Sequence, residues 1–217
     1  MTGDTAGDWS GPHALQRGST DSAAVARYYD DWAGAYEADL AAWDYAAPED
    51  CAERLVPHLT EDPRILDVGC GSGLMAETLA RRGVSRMYGI DISTELLEIA
   101  RRRGRYAALT AHDLQRLPLP AETDAYDAAI CIGVMTYIAE PETLLREMAR
   151  AVRPGGVIAF TQRSDRWEET GLPGRLARLE AEGALETLQV SEPRPYLPGN
   201  PDFGEAIGVH HVLCRAR

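Results

Sequence analysis

The chain has 217 residues, of which 22 are basic and 34 acidic, giving a formal net charge of −12. All 22 bases are arginine, so chemistry that needs a lysine is excluded, such as a pyridoxal phosphate Schiff base or a Walker-type phosphate loop. The acidic balance argues against nucleic acid as the main partner, because phosphate binding depends on clustered cations.

No targeting signal is predicted in the first 20 residues. Residues 1–20 lack both a basic start and an apolar segment, and we expect a disordered tail there rather than a signal peptide. The remainder, 21–217, is predicted to be a single domain, with an N-terminal helical cap at 21–60 and a core at 61–217. No apolar run approaches the ~20 residues that span a bilayer, so no membrane association is expected.

The cysteines give no metal or disulfide pattern. None of the four forms a C-x-x-C pair or has a histidine at zinc spacing, and no metal site is predicted. Reduced thiols in a cytoplasmic protein are the simplest interpretation. The four are Cys51, Cys70, Cys131 and Cys214.

The cap is predicted to be helical. Asp21–Leu40 shows helical spacing, with Val25 and several aromatic residues near one face, and Glu49–Leu59 is a second short helix entered through Pro48. These aromatic side chains are expected to face the core as a group, with one of them contacting a ligand as the alternative. They are Tyr28, Tyr29, Trp32 and Tyr36.

Beyond the cap, predicted strands alternate with predicted helices. The strands are Arg64–Val68, Ser85–Ile90, Arg105–Thr110, Ala125–Ile132 and Val157–Thr161. The helices are Ser72–Arg82, Ser93–Gly104, Pro141–Val152 and an interrupted Trp167–Glu182. Such alternation indicates an α/β fold with a parallel sheet and helices on both faces.

Two closing strands complete the predicted sheet. Leu185–Val190 and Ala206–Arg215 have no helix between them, and their linker holds four prolines. We therefore expect this pair to be antiparallel at one edge. The predicted fold class is a Rossmann-like, seven-stranded, mostly parallel sheet with one antiparallel edge strand.

A glycine-rich loop follows the first strand and opens the first core helix. Its sequence, Gly69-Cys70-Gly71-Ser72-Gly73, lets the backbone turn sharply and expose amide N–H groups to a ligand. Asp91 ends the second strand 22 residues after Gly69, where a carboxylate accepts both ribose hydroxyls of an adenosine.

Two features indicate which adenosine ligand the loop binds. The pyrophosphate fingerprint G-x-G-x-x-G needs a glycine where this chain has Leu74, and Asp67 before the loop would repel a pyrophosphate. Asp67 instead suits a ligand with an ammonium group and a sulfonium cation. Asp113, after the third strand, can accept a hydrogen bond from an adenine amine. A nicotinamide-dependent oxidoreductase is the weaker competitor.

Five ordered motifs resemble those of class I S-adenosylmethionine-dependent methyltransferases. They are Ile65–Gly73, Gly89–Ser93, His112–Leu114, Tyr126–Cys131 and Arg153–Gly156. The segment Tyr28–Tyr36 is similar to the entry helix of the Williams–Beuren-region methyltransferase-like proteins and of bacterial natural-product methyltransferases. The resemblance implies the cofactor S-adenosyl-L-methionine, with S-adenosyl-L-homocysteine as product.

The resemblance also assigns cofactor-binding residues. Gly69, Cys70 and Gly71 would line the methionine part through their backbone, with Asp67 reading its amine. Asp91 would hold the ribose, Ile92 would pack on adenine, and Asp113 with the Leu114 amide would read the adenine edge. Ile132 and Gly133 would back the sulfonium centre, and Tyr28 or Tyr36 would close over the cofactor.

Methyl transfer from a sulfonium is an in-line displacement that needs collinear reactants more than a base. Should a base act, the candidates are Tyr137, His210 and His211, although ordinary structural histidines are the simpler interpretation. The candidates for acceptor binding are Tyr137, Arg163, which can hold a carboxylate, and Tyr196 in the proline-rich linker.

A small-molecule acceptor is expected, because little chain is left for a domain that reads protein or nucleic acid. Two alternatives stay open. The fold can use bound S-adenosylmethionine for non-methylating chemistry such as cyclisation, or it can be a non-catalytic binding module. The sequence does not indicate the oligomeric state.

Overall fold

A computed structural model describes residues 14–204 and 206–217. The helices are α1 (Ala14–Arg17), α2 (Ser22–Trp32), α3 (Tyr36–Ala42), α4 (Ala47–Leu55), α5 (Leu74–Ala80), α6 (Thr94–Arg103), α7 (Pro141–Ala151), α8 (Ser164–Trp167) and α9 (Leu172–Ala181). The strands are β1 (Arg64–Val68), β2 (Arg86–Asp91), β3 (Tyr106–Ala111), β4 (Tyr126–Cys131), β5 (Val152–Arg163), β6 (Leu185–Val190), β7 (Arg194–Pro195) and β8 (Gly208–Ala216).

The strands form one sheet in the order β3-β2-β1-β4-β5-β8-β6. The neighbouring strands from β3 to β5 in this order are parallel. After β1, the chain adds β2 and then β3 on one side, and β4 and β5 follow on the other side of β1. The carboxyl ends of β1 and β4 therefore flank the point where strand order reverses, which is where open α/β sheets bind ligands. This topology confirms the predicted Rossmann-like fold class.

The edge after β5 is antiparallel, as predicted for the closing pair. β8 pairs antiparallel with both β5 and β6, and β6 is the outermost strand of the ordered path. The two-residue strand β7 also pairs with β8, at Arg194↔Val209 and Pro195↔Gly208. The sheet therefore has eight strands within residues 14–204 and 206–217, where seven were predicted. Sequence analysis missed β7 because two residues with a proline carry no strand pattern.

Helices cover both faces of the sheet and enclose two buried clusters. One contains Phe160, Leu144 and Met148 under α7 and α9, and the other contains Leu55, Ile65 and Leu79 under α4 and α5. A third cluster joins the cap to the linker that follows β7, with Leu15, Leu40, Tyr137, Leu197 and Phe203 among its buried members. This third cluster covers the carboxyl ends of the strands.

The cap differs from its prediction in two places. The predicted helix over 21–40 is two helices, because α2 ends at Trp32 and α3 begins at Tyr36. The tail prediction is wrong for residues 14–17, since α1 forms there and buries Ala14 and Leu15. Residues 1–13 lie outside the described residues.

Two other boundaries shift. The predicted strand at 157–161 is longer in the structure, because β5 begins at Val152 and includes the motif at 153–156. The interrupted helix separates into α8 and α9, with Gly171 in the left-handed conformation before α9. In the described part of the chain, no helix has the length and apolar character needed to cross a membrane.

Candidate functional site

The turn between β1 and α5 has a backbone that glycine favours. Gly69, Gly71 and Gly73 have φ values of 79°, 51° and 89°, which L-residues rarely adopt. A Cβ on Gly69 would lie 2.3 Å from Val134 Cγ2, so the loop packs closely on the end of β4. A Cβ on Gly71 would meet nothing nearer than 3.9 Å, because this residue borders an open cavity.

Asp91 connects the glycine loop to the end of β2. Its carboxylate is 8% exposed and accepts hydrogen bonds from the backbone N–H groups of Gly71 (2.7 Å) and Ser93 (2.8 Å). Burial raises its pKa, and these backbone N–H groups oppose the rise. The acid predicted to hold a ribose therefore lies against the loop predicted to hold the rest of the ligand.

Asp67, at the inner end of the loop, is buried next to a tyrosine. The Tyr106 hydroxyl on β3 donates to Asp67 Oδ2 at 2.7 Å, although β2 lies between the two strands. Gly89 makes this possible, because a Cβ there would lie 3.1 Å from Tyr106 Cε1 and 2.7 Å from Cys70 Sγ. Burial raises the pKa of Asp67 to about 7, against the lowering effect of the Tyr106 hydrogen bond.

Asp113 lies at the third strand end and lines the same cavity. Its Oδ1 accepts from the Gln115 N–H at 3.0 Å, while Oδ2 is 3.4 Å from Nε of the exposed Arg116. Ile92 and Leu114 flank it on the cavity wall. Two acids and two aliphatic side chains thus meet where an adenosine was predicted.

At the end of β4, Gly133 leaves room for two tyrosine hydroxyls. Its N–H donates to Thr161 Oγ1 on β5 at 2.8 Å, and its φ is 76°. A Cβ on Gly133 would lie 3.0 Å from Tyr45 Oη and 3.2 Å from Tyr196 Oη. The backbone predicted to back the sulfonium centre therefore faces side chains from the cap and from the β7–β8 linker.

Five tyrosines converge on the cavity. The Tyr29 hydroxyl donates to the Tyr137 hydroxyl at 2.9 Å, and Tyr45 contacts Tyr196 edge to face with ring centroids 5.7 Å apart. Burial raises the pKa of all five phenols, so they stay protonated at neutral pH. The five are Tyr29, Tyr36, Tyr45, Tyr137 and Tyr196.

The cavity has an empty volume of about 830 Å³, part of it open to solvent. Eleven predicted site residues line it, namely Tyr36, Gly69, Gly71, Asp91, Ile92, Asp113, Leu114, Ile132, Gly133, Tyr137 and Tyr196. Asp67 and Cys70 line an adjoining smaller cavity that shares Tyr36, Tyr45, Gly69, Gly71 and Ile132 with the first. Of the two tyrosines predicted to close the site, the structure brings Tyr36 to it and leaves Tyr28 outside both cavities.

Three other predicted residues lie away from the cavity lining. The Arg163 guanidinium donates to Asp165 and to the Leu15 carbonyl, so it fastens α1 to the end of β5. His210 stacks on Trp167 with ring centroids 4.5 Å apart. His211 is 2% exposed and lies 3.8 Å from Asp50, and burial lowers its pKa to about 4.

Sequence reasoning missed several residues that build the site. Tyr45 follows α3 in a turn, where no periodicity marks it, and Leu15 was assigned to a tail. Arg103 ends α6 in a run of three arginines that no motif marks, yet its Nε donates to the Ser72 carbonyl and its guanidinium pairs with Glu37 on α3. It therefore links the glycine loop to the cap.

Hydrogen bonds also fix α2 against the core. Asp30 on α2 accepts from the Ser93 hydroxyl at 2.6 Å and from the Glu95 N–H at 3.2 Å, at the start of α6. Tyr29 and Tyr36 are thereby positioned relative to Asp91. Across 14–204 and 206–217, no group of three or more His, Cys, Asp or Glu side chains is placed to hold a metal ion.

The residues present fit an adenosyl ligand with a cationic sulfur. Gly71 faces open space that a side chain would fill, two carboxylates line the wall, and a third adjoins it. None of the described lining residues is a cation that would neutralise a pyrophosphate.

Comparisons with known proteins agree with this geometry. Residues 66–160 match the family model described as a methyltransferase domain. Human methyltransferase-like protein 27 is 33% identical over 177 residues, covering 79% of this chain and 72% of that protein. A ubiquinone biosynthesis O-methyltransferase from Neisseria meningitidis is 34% identical over 106 residues, 45% of this chain and 43% of that protein.

Among solved structures, the (4+2)-cyclase SpnF is similar, with a TM-score of 0.61 and 25% identity, over 78% of this chain and 80% of that one. The architecture is that of an α/β protein with a cavity at the strand reversal, lined by residues that fit an adenosyl ligand. The chain belongs to the class I S-adenosylmethionine-dependent methyltransferases, and S-adenosylmethionine is its cofactor.

Proposed function

We propose that this protein transfers a methyl group from S-adenosylmethionine to a small-molecule acceptor by in-line displacement. One observation carries the proposal. A single cavity joins the glycine loop and Asp91 to a wall of tyrosines at the end of β4, so ligand and acceptor would share one cavity. A cytoplasmic location, and partners that do not include nucleic acid, are further predictions from the sequence.

The chain's own residues would hold the cofactor at the carboxyl ends of β1, β2 and β4. Asp91 and Asp113 would bind and orient the adenosine, with Ile92 against the base, and the Gly69–Gly71 backbone would lie along the methionine part. The cofactor supplies an activated methyl group on a sulfonium. Because that leaving group is already cationic, the protein needs mainly to align the reactants and exclude water.

The cover over the cavity supports a small acceptor. Leu15 from α1, Val25 from α2 and Leu197 from the β7–β8 linker line the cavity on the side away from the sheet. Leu15 and Leu197 are 8% and 2% exposed, so both side chains are packed within the cover. The similarity to a ubiquinone biosynthesis O-methyltransferase is in keeping with a small acceptor, although the chain spans under half of that protein's length.

A second candidate function is non-methylating chemistry, such as cyclisation, on the same fold. The similarity to the cyclase SpnF favours it. The two functions predict different products. Methyl transfer adds one methyl group to the acceptor and releases S-adenosylhomocysteine, whereas cyclisation leaves the mass of the acceptor unchanged.

Product analysis with isotope-labelled cofactor tests the proposal. The full chain is incubated with S-adenosylmethionine carrying a trideuteromethyl group, together with either the dialysable small molecules or the macromolecules of the source organism. We expect labelled small molecules and S-adenosylhomocysteine, detected by mass spectrometry, and neither with Asp91→Ala. Label in the macromolecular fraction alone contradicts a small acceptor. Products of unchanged mass favour cyclisation, and no product in either fraction contradicts transfer.

A further inference from the structure

Part of the cavity is not accounted for by the predicted cofactor contacts. It lies beyond Gly133 and is bounded by Tyr29, Tyr45, Tyr137 and Tyr196, with Leu15 and Leu197 above. We call this space the tyrosine chamber. Since the Tyr45 and Tyr196 hydroxyls lie close to Gly133, the chamber adjoins the place where the methyl group would be presented.

No cation lines the chamber among the described residues of the wall. Arg163 is the cation near it, close enough to oppose the rise in the pKa of Tyr137 and Tyr196. The Arg163 side chain is 4% exposed. Its guanidinium donates to both carboxylate oxygens of Asp165 and to the Leu15 carbonyl, and lies 5.0 Å from the Phe203 ring centroid. Its charge is therefore already paired, and an anionic acceptor would enter the chamber without a counter-ion.

The chamber also offers no group that takes a proton at neutral pH. Its polar side chains are phenols, and Tyr29 and Tyr137 are hydrogen-bonded to each other. The carboxylates near it belong to the predicted cofactor site. Asp91 and Asp113 line the wall at the adenosine end. Asp67 lines the adjoining cavity at the methionine end, where it accepts the Tyr106 hydroxyl. An alcohol or neutral phenol must lose its proton during methylation, and this wall provides no base to accept it.

We propose that the methyl acceptor is an amine nitrogen, and that the tyrosine chamber holds the ammonium product through the aromatic rings and hydroxyl oxygens of Tyr29, Tyr45, Tyr137 and Tyr196. This inference rests on the proposed function. A neutral amine has a free lone pair and needs no base, and tyrosine rings stabilise a cation that has left water.

The charges balance without any further reactant. The nitrogen–carbon bond forms as the sulfur–carbon bond breaks, so the positive charge passes from sulfur to nitrogen and S-adenosylhomocysteine leaves neutral. Before transfer, the neighbouring sulfonium disfavours a second cation and keeps the amine in its neutral, nucleophilic form. After transfer, the ammonium sheds its extra proton to water on release.

Isothermal titration calorimetry with three probes of similar shape tests this inference. The full chain is first saturated with S-adenosylhomocysteine. It is then titrated with choline, which is cationic, with 3,3-dimethylbutan-1-ol, which is neutral, or with the anion 3,3-dimethylbutanoate. We expect choline to bind about tenfold more tightly than the neutral alcohol, as a cation–π site of this kind provides, and the anion to show no binding. Equal affinities, tighter binding of the anion, or no binding of choline would overturn the inference.

Variants separate the aromatic ring from the hydroxyl. Tyr137→Phe keeps the ring and should retain the preference for choline, whereas Tyr137→Leu should lose most of it. Tyr88→Leu, which removes a tyrosine outside both cavities, is the matched control and should bind choline as wild type does. If Tyr137→Leu does not fold, the wild-type probe series still decides. Failure to bind S-adenosylhomocysteine in the first step refutes the proposed function instead.

Discussion

Replacing Asp91 with alanine removes the carboxylate that joins β2 to the glycine loop. The side chain accepts N–H groups from Gly71 at 2.7 Å and Ser93 at 2.8 Å and is 8% exposed, so the variant leaves two backbone donors without their acceptor. It also removes the group proposed to bind the ribose. Hydrogen bonds to charged groups contribute about 1.5–3 kcal/mol each, and part of this loss falls on the free protein.

We therefore expect S-adenosylhomocysteine binding to weaken by about 1–3 kcal/mol, or roughly 5- to 150-fold in Kd. Isothermal titration calorimetry measures this directly, with circular dichroism to verify folding. Asp127→Ala is the matched control, because Asp127 also accepts a backbone N–H, from Arg64 at 2.7 Å, but at the opposite end of the sheet. The control should lower stability and leave Kd unchanged. A folded Asp91→Ala protein with wild-type affinity would refute the reasoning.

Three further predictions follow from the same geometry. Gly71→Ala should weaken S-adenosylhomocysteine binding at least about tenfold in a calorimetric titration, because its Cβ enters the cavity. Gly83 also has a positive φ but has open space around it, so the control Gly83→Ala should not change binding. Equal effects of the two variants would contradict the assignment of the loop. The raised pKa of Asp67 means that the folded protein holds this proton more tightly than the unfolded chain between pH 4 and 7, so stability falls as pH rises through that window. Urea unfolding gives the free energy of unfolding of wild type and of Asp67→Asn. The difference between these two free energies should change by about 2–4 kcal/mol from pH 4 to pH 7, and a difference that does not change with pH would contradict the prediction. In the native protein, a thiol reagent should titrate none of the cysteines rapidly, and all four should react in denaturant, because each is buried; fast native reaction would show an open core. They are Cys51, Cys70, Cys131 and Cys214.

The parts of the site that sequence predicted are local. The glycine loop, Asp91 and Asp113 each lie at the carboxyl end of a strand, and parallel strands bring these ends to one edge of the sheet. A short sequence window therefore specifies both the residue and its place in the fold. The motif order also predicted the strands from β1 to β5, with boundaries mostly within two residues.

The parts that sequence missed depend on contacts between distant segments. Tyr106 reaches Asp67 because Gly89, on the strand between them, has no side chain, and no single window contains all three residues. Tyr45 and Tyr196 meet above Gly133 because the linker after β7 folds back over the cap. Arg163 had the charge to bind a carboxylate, but Asp165, two residues away, already pairs with it.

The proposed chemistry requires that the cavity above Gly69–Gly71 bind an adenosyl sulfur compound. A crystal structure of the full chain grown with S-adenosylhomocysteine would show whether it does. We expect density along the glycine loop, with the ribose hydroxyls on Asp91 and the sulfur near Gly133. An empty cavity at saturating ligand, or the ligand bound elsewhere on the molecule, would contradict the account.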